Sequence, residues 1–170
     1  MDFKDLLEKR YSCRMISDEK IDESLIKRIL DVAIMAPTAV NKQPYKVFVM
    51  ESDEAKNNIR AVTRHTFGAN TFLVVGYKED EAWTRKYDGR NFGDVDASIA
   101  ATYIMLEICN LGLETTWVGH FDAEKLKDMC PEMKDYDLIA IFPIGYARDD
   151  SKPAGLHYER KSEEEIVVKL

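Results

Sequence analysis

Three side chains near the start of the chain could bind an anion together. Arg10, Ser12 and Arg14 are two residues apart in the run Arg10-Tyr-Ser-Cys-Arg14. In an extended backbone, side chains at this spacing point to the same side. Two guanidinium groups and a hydroxyl converging there suit a phosphate monoester, which favours charge-assisted, bidentate donors. The alternative is a solvated loop with two surface arginines, and spacing alone does not exclude it.

Two other segments have the composition of ligand-binding loops. Residues 36–45 contain two prolines and several amides between a predicted helix and a predicted strand, and polar loops between rigid elements often face a ligand. Residues 117–122 connect a predicted strand to a helix, where Gly119 permits close backbone approach. The alternatives are plain turns, with His120 an exposed residue that has no visible partner for acid–base catalysis.

Two further features have a functional and a structural interpretation. Arg160 and Lys161 could complete a phosphate pocket if the tail folds back, or could balance the acidic run 163–165. Cys13 lies between the two arginines, a setting compatible with a reactive thiol, but an inert small residue is the favoured interpretation.

Several common catalytic motifs are absent from the sequence. It contains no G-x-G-x-x-G, no G-x-x-x-x-G-K-[ST] and no G-x-S-x-G run. His65, His120 and His157 are far apart, and no two cysteines form a C-x-x-C pair, so we predict no metal site. If the protein is an enzyme, we expect a cofactor to supply its chemistry.

Composition restricts the class of protein further. The 170 residues are enough for one domain, and 24 basic against 31 acidic residues give a net charge of −7. This balance argues against binding to nucleic acid or to an anionic membrane. We find neither a signal-peptide pattern nor an apolar stretch near ~20 residues, so we expect a cytoplasmic protein.

The elements that must position these residues follow from periodicity and capping. We predict helices over residues 2–10, from Asp22 to before Pro37, from Ser52 or Asp53 to about residue 64, over 96–111, and from Asp122 to before Pro131. We predict strands at 46–50, 71–77, 115–119 and 138–144, strand character at 166–168, and a loop at 78–93. The alternation indicates a sheet covered on both faces. The helix at 96–111 is apolar nearly all round, so it is either central or shared with a partner subunit.

Taken together, these segments resemble the FMN-dependent nitroreductase family. The motifs that carry the resemblance are Arg10-x-Ser-x-Arg14, Ala36-Pro-Thr-Ala-Val-Asn-Lys-Gln-Pro-Tyr45, Gly93-Asp-Val-Asp-Ala-Ser98, Asn110-Leu-Gly-Leu113 with Thr116-Trp-Val-Gly-His-Phe121, Pro143-Ile-Gly-Tyr146 and the Arg160-Lys161 to Ile166 tail. They occur in the family's order across nearly the whole chain.

The resemblance implies an α+β fold: a three-layer α/β/α sandwich with a mostly antiparallel central sheet, in an intertwined homodimer with one FMN in each interface cleft. Three groups of cofactor-binding residues are implied. Arg10, Ser12, Arg14 and Arg160 hold the phosphate; Pro37, Thr38, Ala39 and Asn41 approach the flavin from the partner subunit; Gly119 and His120 supply backbone amides near flavin N5 and O4. Residues 166–168 extend onto the other subunit, and no side chain is catalytic because the flavin carries the chemistry.

The implied activity is ping-pong hydride transfer through flavin N5, from NADH or NADPH to a nitroaromatic, a quinone or a similar small acceptor. Alternatives are reductive dehalogenation or flavin fragmentation in the same superfamily, or a flavin-binding, redox-sensing protein without turnover. Arg64 or His65 is the expected donor to the N1–C2=O edge. The chain departs from the family pattern at Tyr45, Glu114 and Ser162, and the lid at residues 78–91 is expected to be reduced.

Overall fold

The computed structural model describes residues 2–170 and contains four strands and six α-helices within that range. The helices are α1 (Phe3–Lys9), α2 (Glu23–Ile34), α3 (Asp53–Val62), α4 (Gly93–Asn110), α5 (Ala123–Met129) and α6 (Glu163–Ile166). The strands are β1 (Tyr45–Met50), β2 (Thr71–Tyr77), β3 (Glu114–Thr115) and β4 (Asp137–Gly145). Short 3₁₀ turns occur at Ala39–Asn41, Pro131–Met133 and Gly155–Tyr158.

Polar side chains begin four of the helices at the predicted positions. Asp2, Asp22, Ser52 and Asp122 each accept a hydrogen bond from a backbone N–H two or three residues later, at 2.7–3.1 Å. These bonds satisfy N–H groups that have no partner within the helix. The predicted starts of α1, α2, α3 and α5 are therefore confirmed.

Helix α4 begins three residues earlier than the periodicity predicts. The side-chain oxygen of Asn91 accepts the Gly93 N–H at 2.8 Å, which starts the helix before its apolar stripe. The Tyr77 ring packs directly on Gly93 and occupies the space that a β-carbon would need. Glycine is required here because α4 approaches β2 so closely.

The four strands form one antiparallel sheet in the order β1-β2-β4-β3. The predicted strand at 115–119 is wrong in extent, because β3 contains only Glu114 and Thr115. After Thr115 the chain leaves the sheet and returns at Val118, which exchanges two backbone hydrogen bonds with Ile141 at 2.9 and 3.0 Å.

The sheet separates two hydrophobic layers. On one face, α2 and α4 pack on the sheet through buried residues that include Ile29, Ile104 and Phe142. On the other face, α3 and α5 pack through residues that include Ile59 and Leu126. The predicted three-layer sandwich with an antiparallel sheet is confirmed. Helix α4 is the central helix, because it contacts all four strands as well as α1 and α2.

The end of the chain differs from the prediction of strand character at residues 166–168. Glu163–Ile166 instead forms a one-turn helix, and the residues after it pair with no strand. The Glu165 carboxylate accepts the Ser162 N–H at 3.0 Å, so a capping box stabilises the helical turn locally.

Residues 78–92 form the predicted loop, with one isolated bridge between Thr84 and Asn91. Among residues 2–170, no helix combines the length and apolarity needed to cross a membrane.

Candidate functional site

The segment that follows α1, residues 10–14, is extended, and its side chains point alternately to two sides. Its backbone is fixed to the sheet, since the Cys13 N–H donates to the Thr115 carbonyl at 3.0 Å. Cys13 is completely buried, which favours its interpretation as an inert residue over a reactive thiol. Arg10, Ser12 and Arg14 face the opposite way from Cys13 and line one cavity, as the alternation of an extended chain predicts.

This cavity has a volume of about 250 Å³ and is built from both ends of the chain. Its lining residues are Arg10, Ser12, Arg14, Ala154, Leu156, His157 and Arg160. Three guanidinium groups, one hydroxyl and one imidazole thus share a small volume without a carboxylate among them. That set of donors matches a dianionic phosphate group.

In the described part of the chain, none of the three arginines of the cavity forms a salt bridge. Within residues 2–170, no carboxylate lies within 4.0 Å of the guanidinium nitrogens of Arg10, Arg14 or Arg160. Among the residues that the structure describes, Arg14 donates only to the Ser12 carbonyl at 3.3 Å, and Arg160 only to the Glu159 carbonyl at 2.6 Å. The guanidinium groups therefore keep donors for a bound anion.

Larger hollows elsewhere on the surface lack this chemistry. A groove of about 530 Å³ between β1 and α3 is lined mainly by apolar residues such as Phe48 and Met133. Another of about 570 Å³ mixes acidic and basic side chains, among them Asp18 and Lys56. Neither concentrates positive charge, so we assign the anion site to the smaller cavity.

A buried carboxyl group lies beside the cavity. Glu114 on β3 is only 9% exposed. Burial raises the pKa of Glu114 to about 7, and the positive charges of Lys9 and Arg10 oppose that rise without cancelling it. A group with this pKa exchanges its proton near neutral pH, next to an arginine of the cavity.

The predicted ligand loop at residues 36–45 is held in a strained conformation. Val40, Asn41 and Gln43 all have positive φ, between 46° and 58°. This region costs an ordinary residue about 1–2 kcal/mol. The Ala39 N–H donates to Oδ1 of Asp96 at 2.8 Å, and Asp96 is only 2% exposed. Asp96 therefore attaches the loop to the start of α4.

We expect Asp96→Ala to destabilise the protein by about 2 kcal/mol, because the Ala39 N–H loses a partner that can carry charge. The measurement is urea unfolding followed by circular dichroism. Asp94→Ala is the matched control, since Asp94 lies in the same helical turn, is exposed and bonds only the neighbouring Val95 N–H. Equal losses in the two variants would show that the contact with Ala39 has no particular role.

Gly119 and His120 lie in a different region from the arginines. Gly119 has open space where a side chain would be. The His120 ring lies 5.5 Å from the His65 ring, centroid to centroid and edge on. The His120 carbonyl accepts the Thr63 hydroxyl at 2.9 Å, which connects this turn to the end of α3. Arg64 is exposed beside it.

The structure therefore brings together four of the ten predicted site residues. Arg10, Ser12, Arg14 and Arg160 line one cavity, whereas Pro37, Thr38, Ala39, Asn41, Gly119 and His120 lie outside it. Sequence reasoning missed Ala154, Leu156 and His157, because nothing in the local pattern shows that residues 154–160 fold back on the first segment. It also missed Asp96. An acidic residue within an apolar helix is rarely buried without a partner, so its position could have marked Asp96 as a candidate for a specific contact.

Comparison with known proteins gives one family. The model of the nitroreductase family matches residues 7–71 and 61–146. A protein of Methanothermobacter thermautotrophicus, provisionally named NADH dehydrogenase/NAD(P)H nitroreductase, is 28% identical over 94% of this chain and 88% of its own. Mouse iodotyrosine deiodinase 1 is 22% identical over 98% of this chain and 69% of its own.

Solved structures give the same result. A nitroreductase family protein from Clostridium difficile superimposes with a TM-score of 0.91 at 31% identity, over 99% of this chain and 98% of its own. A provisionally named nitroreductase from Exiguobacterium sibiricum, solved in complex with FMN, has a TM-score of 0.85 at 18% identity, over 100% of this chain and 98% of its own.

Proposed function

The chain belongs to the nitroreductase family, and from this premise we propose that it is an FMN-dependent NAD(P)H oxidoreductase. Its expected acceptors are nitroaromatics, quinones or similar small molecules. The observation that carries the proposal is the cavity in which Arg10, Ser12, Arg14 and Arg160 meet. Support also comes from the FMN bound to the Exiguobacterium protein of the same fold and from the NAD(P)H in the name of the Methanothermobacter relative.

The residues of the cavity fit the phosphate of FMN in charge and in chemistry. A phosphate monoester carries about two negative charges near neutral pH. Three guanidinium groups without a carboxylate partner can neutralise that charge, and the Ser12 hydroxyl adds a donor. On this proposal Arg10 and Arg14 bind from one wall of the cavity and Arg160 binds from the other.

When bound, FMN would supply the two-electron redox chemistry that links the nicotinamide donor to the acceptor. The protein contributes binding and orientation. Gly119 leaves open space at its turn, so the backbone amides of Gly119 and His120 are free to approach a planar ring closely. Arg64 and His65 adjoin this turn and remain our candidates for the donor to the N1–C2=O edge.

We propose that the functional unit is a homodimer. Ile34, Met35 and Val40 are large apolar residues at 68%, 74% and 71% exposure, and exposed apolar groups close together often mark a protein interface. Ile34 and Met35 directly precede the strained loop that contains Pro37, Thr38, Ala39 and Asn41, and Val40 lies within it. The family resemblance implies that this loop approaches the flavin from a second copy, and on this proposal the exposed apolar residues lie at the interface between the two copies.

An anaerobic reductive titration tests the activity. We expect NADH or NADPH to bleach the visible absorbance of the FMN-loaded protein, and a nitroaromatic or a quinone to restore it. Repeating the titration without an acceptor is the control, and the bleached spectrum should then persist. Failure of both nicotinamides to bleach the flavin would instead favour a flavin-binding protein without turnover.

Reductive dehalogenation is a second candidate, favoured by the match to iodotyrosine deiodinase over 98% of this chain. In that reaction a carbon–halogen bond is replaced by a carbon–hydrogen bond, with two electrons from the reduced cofactor and a proton from solvent, and halide leaves. Iodotyrosine and a nitroaromatic should therefore be compared as acceptors after the same anaerobic reduction. Release of iodide at a rate above that of nitroaromatic reduction would favour the second candidate.

A further inference from the structure

The side of the extended segment that faces away from the cavity holds a hydrogen-bonded cluster. The Tyr11 hydroxyl lies 2.8 Å from Oγ of Ser151, and Sγ of Cys13 lies 3.2 Å from the same atom. Tyr11 and Cys13 thus alternate with the arginines along one backbone and point the other way. Ser151 reaches this cluster from about 140 residues further along the chain.

Both partners of Ser151 belong to the segment after α1 that is hydrogen-bonded to β3. Cys13 is completely buried and its N–H donates to the Thr115 carbonyl at 3.0 Å. Burial raises the pKa of Tyr11 to about 12, so the phenol keeps its proton at neutral pH and the hydroxyl–hydroxyl bond does not depend on pH there. Ser151 consequently bonds to a segment whose backbone is fixed to β3.

Ser151 is the last point at which the tail is hydrogen-bonded to the body of the protein. In the part of the chain that the structure describes, every hydrogen bond of residues 152–170 is made to another residue of that same tail. No salt bridge involves the tail either, over residues 2–170. Beyond Ser151, the tail makes one aromatic contact with residues 10–14 in the described part of the chain. The His157 ring meets the Tyr11 ring edge on, with 6.4 Å between the ring centroids.

The tail beyond Ser151 forms one wall of the anion cavity. Ala154, Leu156, His157 and Arg160 come from it, whereas Arg10, Ser12 and Arg14 come from the segment after α1. The position of Arg160 relative to the two other arginines is therefore set by where the tail is attached. A shift of the attachment point would separate the two walls and weaken simultaneous contact with one anion.

We propose that Ser151 is a positioning residue for the phosphate of FMN: by hydrogen bonding to Tyr11 and Cys13, it holds the wall that carries Arg160 against the wall that carries Arg10 and Arg14. The inference rests on the proposed function, because it assumes that the cavity holds the phosphate. Ser151 itself does not line the cavity.

Ser151→Ala tests the inference through the ratio of FMN affinity to riboflavin affinity, measured by flavin fluorescence on the full chain freed of flavin. Riboflavin has the same ring system without the phosphate. We expect the variant to bind FMN about tenfold more weakly, as for loss of about one hydrogen bond, with riboflavin affinity unchanged. Tyr11→Phe removes one of the two bonds and should lower the same ratio by a smaller factor.

Ser162→Ala is the matched control. Ser162 lies on the same tail, but its hydroxyl bonds only Glu165, at 3.2 Å, so the affinity ratio should stay at the native value. An unchanged ratio in Ser151→Ala would overturn the inference, and so would an equal loss for both flavins, which indicates a general structural role. If the native protein itself binds riboflavin as tightly as FMN, the phosphate assignment fails first, and the positioning role fails with it.

Discussion

Replacing Arg10 and Arg14 together by alanine should weaken FMN binding by about 3–6 kcal/mol, given ~1.5–3 kcal/mol for each hydrogen bond to a charged group. This is a loss of about two to four powers of ten in affinity. Both side chains line the cavity, and over the described residues 2–170 neither forms a salt bridge that would have to break. Isothermal titration calorimetry with FMN measures the effect.

The control for this double variant must change the net charge equally at another place. Arg60→Ala with Arg90→Ala meets that condition, since both arginines are exposed and neither lines the cavity. We expect the control to bind FMN as the native protein does. If both double variants lose the same affinity, the effect comes from overall charge and the site assignment is wrong.

Because of Glu114, the free energy of unfolding of the native protein should fall by about 2–3 kcal/mol between pH 5 and pH 8. Replacing Glu114 by glutamine should abolish this fall. The physical cause is burial, which raises the pKa of Glu114 from 4.5 to about 7. The folded state then binds the proton more tightly than the unfolded chain does. Stability is fully favoured at low pH and falls as the pH rises from about 4.5 to about 7.

Urea unfolding at a series of pH values measures this slope. The native protein should lose stability from pH 5 to pH 8 relative to Glu114→Gln, and the two curves should diverge most at the alkaline end. Glu54→Gln is the control, because Glu54 is exposed on α3 and should keep the native pH dependence. Parallel curves for the native protein and Glu114→Gln would mean that the buried carboxyl does not titrate in this range.

Local sequence accounts for most elements of the fold. Side chains such as Asp22 and Ser52 cap the helices because they satisfy the N–H groups of a first turn, and this interaction is specified within three residues. The sheet order β1-β2-β4-β3 depends on contacts between distant strands, and no local pattern encodes it. The need for glycine at position 93 arises likewise from a contact with another element, the Tyr77 ring of β2.

Part of the candidate site could also be predicted from the sequence. Alternation in an extended chain was enough to group Arg10, Ser12 and Arg14, whereas Arg160 was one of two open interpretations until the resemblance to a family assigned it to the phosphate. The attachment at Ser151 and the burial of Glu114 arise from contacts between residues far apart in the chain. The sequence shows that these positions hold a serine and a glutamate, but it does not show what surrounds them. Glu114 was visible solely as a departure from the family pattern.

The central claim is that one phosphate lies between the two ends of the chain, and a crystal structure of the complex with FMN tests it most directly. We predict that the phosphate occupies the cavity within hydrogen-bond distance of Arg10, Ser12 and Arg14, with Arg160 on the opposite wall. An FMN molecule bound with its phosphate outside this cavity, and the three guanidinium groups facing solvent, would contradict the account.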